Sequence, residues 1–507
     1  MPLKPDLDLK DLQGIIRFAH GKMTAARFLL LNIKDRSLAK QWLETAPITT
    51  AETVSPIPES ALHIAFTANG LTTLGLNPEI IENFSEEFVS GMTAKNRARR
   101  LGDTGTNDPA HWHWGSSEHN TPHILLLLYT TPEHLESWHS EITGDNFNQA
   151  FNLLNSLDSN NIVDAEPFGF ADGISQPAID WQQEQSTDSH NRDAYSNLLA
   201  LGEVVLGYPN EYGEFTARPL IPAEARHANL LPDAADQIGL KDLGRNGSYL
   251  VFRQLEQDVH GFWQFIEKSA EGDLFEADQL AAAMVGRNRD GSPLVDLSPQ
   301  HIPGTHENTR EKNNFNYDED PKGIACPIAS HVRRSNPRTG DFPPDTSTFL
   351  QRILRILGLR GKHNHDDLVA STRFHRILRR GRQYGSTISL EEARQIPTDS
   401  NQGERGLHFI CLSGSIARQF EFVQNAWIAN STFNALQNEG DPLLGNREAL
   451  AGGTPTDNFS RQQASGPRQC IKGMPQFVTV RGGAYFFLPG LSALKFIIAN
   501  SNDNNSI

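Results

Sequence analysis

Short apolar runs recur along the chain, and most are followed by a stretch with helical spacing. Residues 26–33 (ARFLLLNI) have the unbroken apolar character and the length of a buried strand, and residues 37–44 after them read as a helix. Residues 62–67 (LHIAFT) predict a second strand. Asn69 then suits the cap of a short helix over 70–74, which Gly75 closes. Residues 123–129 (HILLLLY) predict a third strand, with a helix over 132–142. The pattern returns later. Residues 247–253 and 406–412 predict strands, followed by a helix through Trp263 and Phe265 and by helical spacing over 415–427. A last strand is predicted over 483–488.

Strands and helices therefore alternate once in each half of the chain. That pattern predicts two α+β domains of similar build, with a boundary near 210–240 and a Pro- and Ala-rich linker over 218–235. Residues 299–320 and 336–365 lack periodicity and read as long polar loops, the second with a basic helical piece over 349–359. The tail over 500–507 is polar and predicts disorder.

Composition narrows the function classes. The 507 residues include 45 Lys and Arg against 61 Asp and Glu, a formal charge of −16. An acidic chain is a poor match for nucleic acid, whose phosphates require a basic surface. No apolar run approaches the ~18 residues of a membrane span, so no membrane partner is expected. Hydrophobic residues make up 38% of the chain, enough to bury real cores. Three cysteines exclude a disulfide framework. The opening residues show no basic segment followed by an apolar one, which predicts a cytoplasmic protein.

Three segments carry residue types suited to chemistry. In Pro167–Pro177 (PFGFADGISQP), Asp172 sits among glycines and phenylalanines. It reads either as a turn residue bonding its own backbone or as a carboxylate in an apolar pocket, displaced in pKa for proton transfer. In residues 324–338 a single His331 precedes Arg333, Arg334 and Arg338. A neutral imidazole there can ligate a metal, with the arginines holding anions, or it is a structural histidine beside a basic patch. Residues 373–385 (RFHRILRRGRQYG) are strongly basic within an acidic protein, as a solvated end or as an anion-stabilising site. His111, His113, His119 and His123 include an HxH pair suited to one face of a strand, but they match no zinc-ligand pattern and read as structural. His363 and His365, beside Asp366 and Asp367, read as surface residues. Neither a Walker A loop nor a dinucleotide fingerprint is present.

Taken together, these segments resemble the dye-decolourising peroxidases, haem peroxidases with a GxxDG motif, here Gly169-Phe170-Ala171-Asp172-Gly173. Similar segments run in the family's order over nearly the whole chain: 65–71 (AFTANGL), 101–105 (LGDTG), 107–109 (NDP), 206–213 (LGYPNEYG), 247–253, 284–287 (MVGR), 326–338 and 480–487 (VRGGAYFF). The likeness is to the larger members.

The resemblance implies two ferredoxin-like domains with antiparallel sheets, of the dimeric α/β-barrel type. The N-terminal one, over 1–220, carries Asp172. The C-terminal one, over 221–507, binds haem b and carries an insertion around 336–365. It assigns His331 as the iron ligand, Asp172 as the acid–base residue and Arg379 as the catalytic arginine, with Arg380 as the alternative if the alignment is off by one. It further assigns Arg338 to a haem propionate, Leu407 and Phe409 to the apolar haem face, and Asp441 as acidic partner of the His331 imidazole. The implied activity is reduction of hydrogen peroxide to water through a ferryl state, with dyes, phenols or other small aromatic reductants oxidised. A haem-handling protein of the same fold is the alternative, and it would need His331 but not Asp172 and Arg379. Monomer and homodimer both stay open. Electron relay through a Tyr or Trp has three candidates, Tyr384, Trp263 and Trp427, each equally readable as core. Two departures stand out. The stretch from His331 to Arg379 is longer than in many members, and Gln383 replaces the usual Pro before Tyr-Gly.

Overall fold

The computed structural model describes residues 4–117, 119–159, 165–184, 197–296, 312–338, 372–395, 403–447 and 453–500. The basic piece over 349–359, His363, His365 and most of the predicted insertion lie outside them.

Nine strands of the described residues form one antiparallel sheet. They are β1 (Ala25–Ile33), β2 (Ala61–Phe66), β3 (Ile124–Thr130), β4 (Phe151–Asp158), β5 (Ser248–Gln257), β6 (Leu378–Arg379), β7 (Arg382–Tyr384), β8 (Gly406–Ser413) and β9 (Val478–Leu488). The spatial order is β6-β8-β5-β9-β2-β3-β1-β4, with β7 also pairing with β8. The first four strands lie in the order 4-1-3-2, and β5, β6 with β7, β8 and β9 repeat that order. Each set is a ferredoxin-like α+β arrangement. The two sets meet where Phe66 of β2 pairs with Phe487 of β9.

The unbroken apolar runs have a physical cause: both faces of this sheet are covered. Leu29 and Leu31 of β1 pack into one core, and Phe28 and Leu30 into another on the opposite face. A strand buried on both sides needs no polar alternation. At the outer edge β4 is different, because Leu153 is 53% exposed. Its mixed sequence, FNLLNSLD, hid it from the hydrophobic pattern.

The helix signals held with local corrections. Helix α1 (Arg36–Thr45) is capped by Asp35, whose side chain accepts the Leu38 amide. Helix α2 (Ala68–Leu74) is capped by Thr67 through the Gly70 amide, not by Asn69, which bonds His123 instead. Gly75, at φ 91°, ends it. The predicted helix over 132–142 opens as a 3₁₀ turn and becomes α3 (Leu135–Ile142). Helix α4 (Val259–Ser269) follows β5, and α5 (Leu274–Val285), largely apolar in its last two turns, follows it. Residues 417–421 and 423–428 are π-helical rather than α-helical. The predicted linker is a built element: Leu220–Pro222 pairs with Leu240–Asp242 around the buried Arg218, which ion-pairs with Asp236 and Asp242. Helix α6 (His331–Ser335) is short, and α7 (Leu491–Ala499) closes the described chain.

Candidate functional site

A large cavity opens on the face of the sheet that carries Leu31, Val251 and Leu255. It encloses about 1550 Å³ of atom-free space, mouth included. Phe168, Phe170, Leu255, Val285, Phe420, Leu443 and Leu444 make its walls apolar, and His331, Asp172, Arg379 and Arg376 converge among them. This combination of apolar walls and a few convergent polar groups is the usual form of a ligand site.

His331 opens helix α6 on one wall. The turn before it is fixed by Asp320, which accepts the amides of Ile324 and Cys326 and pairs with Arg333. The His331 Nδ1 bonds Asp441 Oδ2 at 2.9 Å, which leaves Nε2 for the cavity. Asp441 is fully buried, and its Oδ1 accepts the amides of Leu443 and Leu444 at 2.9 and 2.8 Å. Burial alone would raise the Asp441 carboxyl, but the His331 imidazole, Arg334 and the Leu444 amide outweigh it and hold the carboxyl below its ordinary value. The imidazole moves the opposite way: burial lowers it, and the Asp441 charge and hydrogen bond lift it above the usual histidine value.

Asp172 and Arg379 line the same cavity. Asp172 rides on a loop whose glycines hold left-handed backbone, Gly169 at φ 93° and Gly173 at φ 78°, which L side chains resist. This is the physical content of the GxxDG spacing. Arg379 Nη1 donates to Asp172 Oδ1 at 3.1 Å. The surroundings push the Asp172 carboxyl up, while Arg379, the Gly173 amide and the more distant His331 pull it down further, so its pKa lies below the ordinary carboxylate value. The pair stays accessible from the cavity, at 45% and 29% of side-chain surface.

Backbone direction decides between the two candidate arginines. Arg379 sits on β6 and lines the cavity. Arg380 points away, donating to the carbonyls of Ile15 and Ile16. The Gln176 amide clamps Arg379 through its main chain: Nε2 donates to the Arg379 carbonyl at 3.2 Å, and Oε1 accepts its amide at 3.1 Å. On β8, Leu407 and Phe409 lie two residues apart and both face the cavity, while His408 between them turns to the opposite face and stacks on Tyr384.

Arg338 is placed differently from the sequence expectation. It is buried, donates to the carbonyls of Asn313 and Phe315 and to Asn313 Oδ1, and does not line the cavity. Arg376 does line it, and its Nε and Nη2 find no acceptor among the described residues. Burial, with Arg338 and Arg373 nearby, pushes its pKa down to about 9. A buried guanidinium with free N–H groups at a cavity wall calls for an anionic group from the occupant.

The remaining candidates are structural. His111 ends a 3₁₀ turn rather than lying on a strand, His113 pairs with Glu404, and His123 accepts the Ile33 amide. Among the described residues no group of His, Cys, Asp and Glu is arranged to hold a metal ion by itself. Trp263 and Tyr384 are buried and Trp427 is half-buried, so none offers an exposed ring. Sequence reading missed Glu166 and Gln176 as site residues and took in Arg376 only as part of the basic run over 373–385. Gln176 and Glu166 flank the aspartate motif within a few residues, and that proximity was the one available signal.

The fold and cavity define a ferredoxin-like α+β protein in which a carboxylate-backed imidazole faces an aspartate–arginine pair across an apolar chamber. No protein-family model matches the chain. Peroxidase 2 of Mycetinis scorodonius is 28% identical, covering 96% of this chain and 87% of that protein. The dye-decolorizing peroxidase of Exidia glandulosa is 29% identical over 96% and 86%. The crystal structure of the DyP-type peroxidase of Anabaena sp. superposes with a TM-score of 0.69 at 24% identity, covering 96% and 94%. The chain is similar in sequence to these peroxidases over nearly its whole length. Among the described residues no helix is long and apolar enough to cross a membrane.

Proposed function

We propose that this protein is a haem-dependent peroxidase that reduces hydrogen peroxide to water and oxidises dyes, phenols or other small aromatic one-electron donors. The observation that carries the reading is one cavity lined by His331, Asp172 and Arg379, with Asp441 behind the His331 imidazole. The names of its relatives, all peroxidases, support it.

The donor set suits haem b. His331 Nε2 is the ligand for the iron, with Nδ1 fixed by Asp441. Leu407 and Phe409 supply apolar contact for the macrocycle, and the unpartnered N–H groups of Arg376 suit its carboxylates. When bound, haem supplies the redox centre at which the O–O bond is broken.

The chain's own residues handle protons and charge. One peroxide oxygen must lose a proton and the departing oxygen must gain one. The Asp172 carboxylate accepts the first and returns it to the second. It must be ionised to accept, and Arg379 keeps it so at neutral pH. Arg379 stays charged throughout and stabilises the negative charge that develops as the bond breaks. Asp441 holds the imidazole in one tautomer and makes it more electron-donating. A haem carrier needs His331 alone, so the Asp172–Arg379 pair favours the enzyme.

The test is stopped-flow spectroscopy of the haem-loaded protein. One equivalent of hydrogen peroxide is expected to shift the Soret band rapidly, and 2,6-dimethoxyphenol to return it. A Soret band that peroxide leaves unchanged defeats the reading.

A further inference from the structure

Glu166 occupies a wall shared by two cavities. On one side is the chamber of Asp172 and His331. On the other is an outer pocket of about 790 Å³, mouth included, lined by Gly169, Arg289, Tyr384 and Ser386. The carboxylate is firmly placed: Oε1 accepts the Phe170 amide at 3.1 Å, and Oε2 accepts the Phe168 amide at 3.1 Å and Gln257 Nε2 at 2.8 Å.

Stoichiometry shows why such a group matters. This step rests on the peroxidase reading. Each turnover is H₂O₂ + 2 e⁻ + 2 H⁺ → 2 H₂O. The donors supply the two electrons. Asp172 moves a proton that peroxide already carries, from one oxygen to the other, and adds none. A phenol oxidised inside the chamber brings its own proton, but a donor that gives only an electron leaves two further protons to enter from solvent in every cycle, through walls that are mostly apolar. We propose that Glu166 is the proton inlet of the chamber, taking a proton from water in the outer pocket and passing it inward.

The electrostatic setting agrees. Burial pushes the Glu166 carboxyl up to about 7, the three hydrogen bonds pull it down less, and Asp172 on the same loop adds to the rise. The other charged group nearby is Arg289, in the loop after α5, whose Nε donates to the Gly169 carbonyl on the outer side. Gln257 at the end of β5 is neutral, and the Tyr384 hydroxyl, also raised by burial, stays protonated. A carboxyl near neutrality loads and unloads a proton with little bias in either direction.

The experiment compares Glu166→Gln and Glu166→Asp in the haem-loaded full chain, with hydrogen peroxide and ferrocyanide, a donor that gives an electron and no proton. In the wild type kcat is expected to fall as pH rises through about 7, where Glu166 loses its proton. Glu166→Gln is expected to lower kcat about tenfold or more and to erase that limb. The first Soret shift with peroxide keeps its wild-type rate, because that step uses only peroxide's own protons. Glu166→Asp is expected to keep a limb, displaced from its wild-type position. A glutamine variant with wild-type kcat and an intact limb overturns the proposal. So does equal loss in both variants with the limb retained, which marks a purely structural role. If the glutamine variant loses haem, the aspartate variant decides: a limb unmoved from its wild-type position overturns the inlet, and a displaced one supports it. A wild-type protein whose Soret band ignores peroxide defeats the peroxidase reading instead.

Discussion

Two carboxylates serve the cavity, Asp441 from behind His331 and Asp172 on the lining, and they are handled in opposite ways. Asp441 is wholly buried, and its two oxygens are taken by His331 and by the amides of Leu443 and Leu444. Asp172 keeps nearly half its side-chain surface open and spends one oxygen on Arg379. Both are held below the ordinary carboxylate pKa against the effect of burial, Asp441 by His331, Arg334 and the Leu444 amide, and Asp172 chiefly by Arg379. The lesson is that charge state alone does not assign a role. A saturated carboxylate acts through the group it holds, and an accessible one can exchange a proton with a ligand.

The largest expected effect breaks the His331 wall. His331→Ala is expected to abolish haem retention, read as loss of the Soret band after desalting, and full loading would remove His331 as ligand. Asp172→Asn should keep haem and slow the peroxide-driven Soret shift by about 10²–10⁴-fold. An unchanged rate would refute Asp172 as the proton acceptor. Arg379→Leu should slow the same step by about 10²–10³-fold, and it also sharpens the comparison through pH. Asp172 must be ionised to accept a proton, and its pKa is held low, so wild-type kcat/KM for peroxide should stay flat as pH falls from 7 to about 4 and drop below that. Removing Arg379 takes away the main lowering influence, so the acid limb should move upward. A limb that stays in place contradicts the coupling. Gln176→Ala should have the smallest effect, slowing the peroxide step by only a few-fold, about 1 kcal/mol for the lost clamp. Haem content measured alongside separates misplacement of Arg379 from loss of the site.

The fold was legible where burial is two-sided. Unbroken runs such as ILLLLYT mark β3 because both faces of the sheet are covered. The edge strand β4 was invisible because solvent admits Asn and Ser among its leucines. The π-helical hydrogen bonding over 417–428 also left no trace, since apolar spacing at this length fits either helix type. At the site, resemblance brought Asp172, Arg379, His331 and Asp441 forward, and the geometry brings the first three to one cavity, with Asp441 bonded behind His331. It could not show which arginine finds carbonyl partners at home. That depends on contacts of Arg338 with Asn313 and Phe315, which lie outside any local motif. The side chains of Gln176 and Glu166 bond mainly backbone groups of their neighbours, and those backbone partners leave no residue-type signal.

Arg376 has a consequence for the stability of the protein. A buried guanidinium with unanswered N–H groups is a standing energetic deficit in the empty chain. An anionic occupant removes it, and ligand binding to the folded state adds stability by mass action, about 2.7 kcal/mol at a hundredfold excess over Kd. Binding of such an occupant should therefore be read as a rise in melting temperature, and Arg376→Ala should reduce that rise.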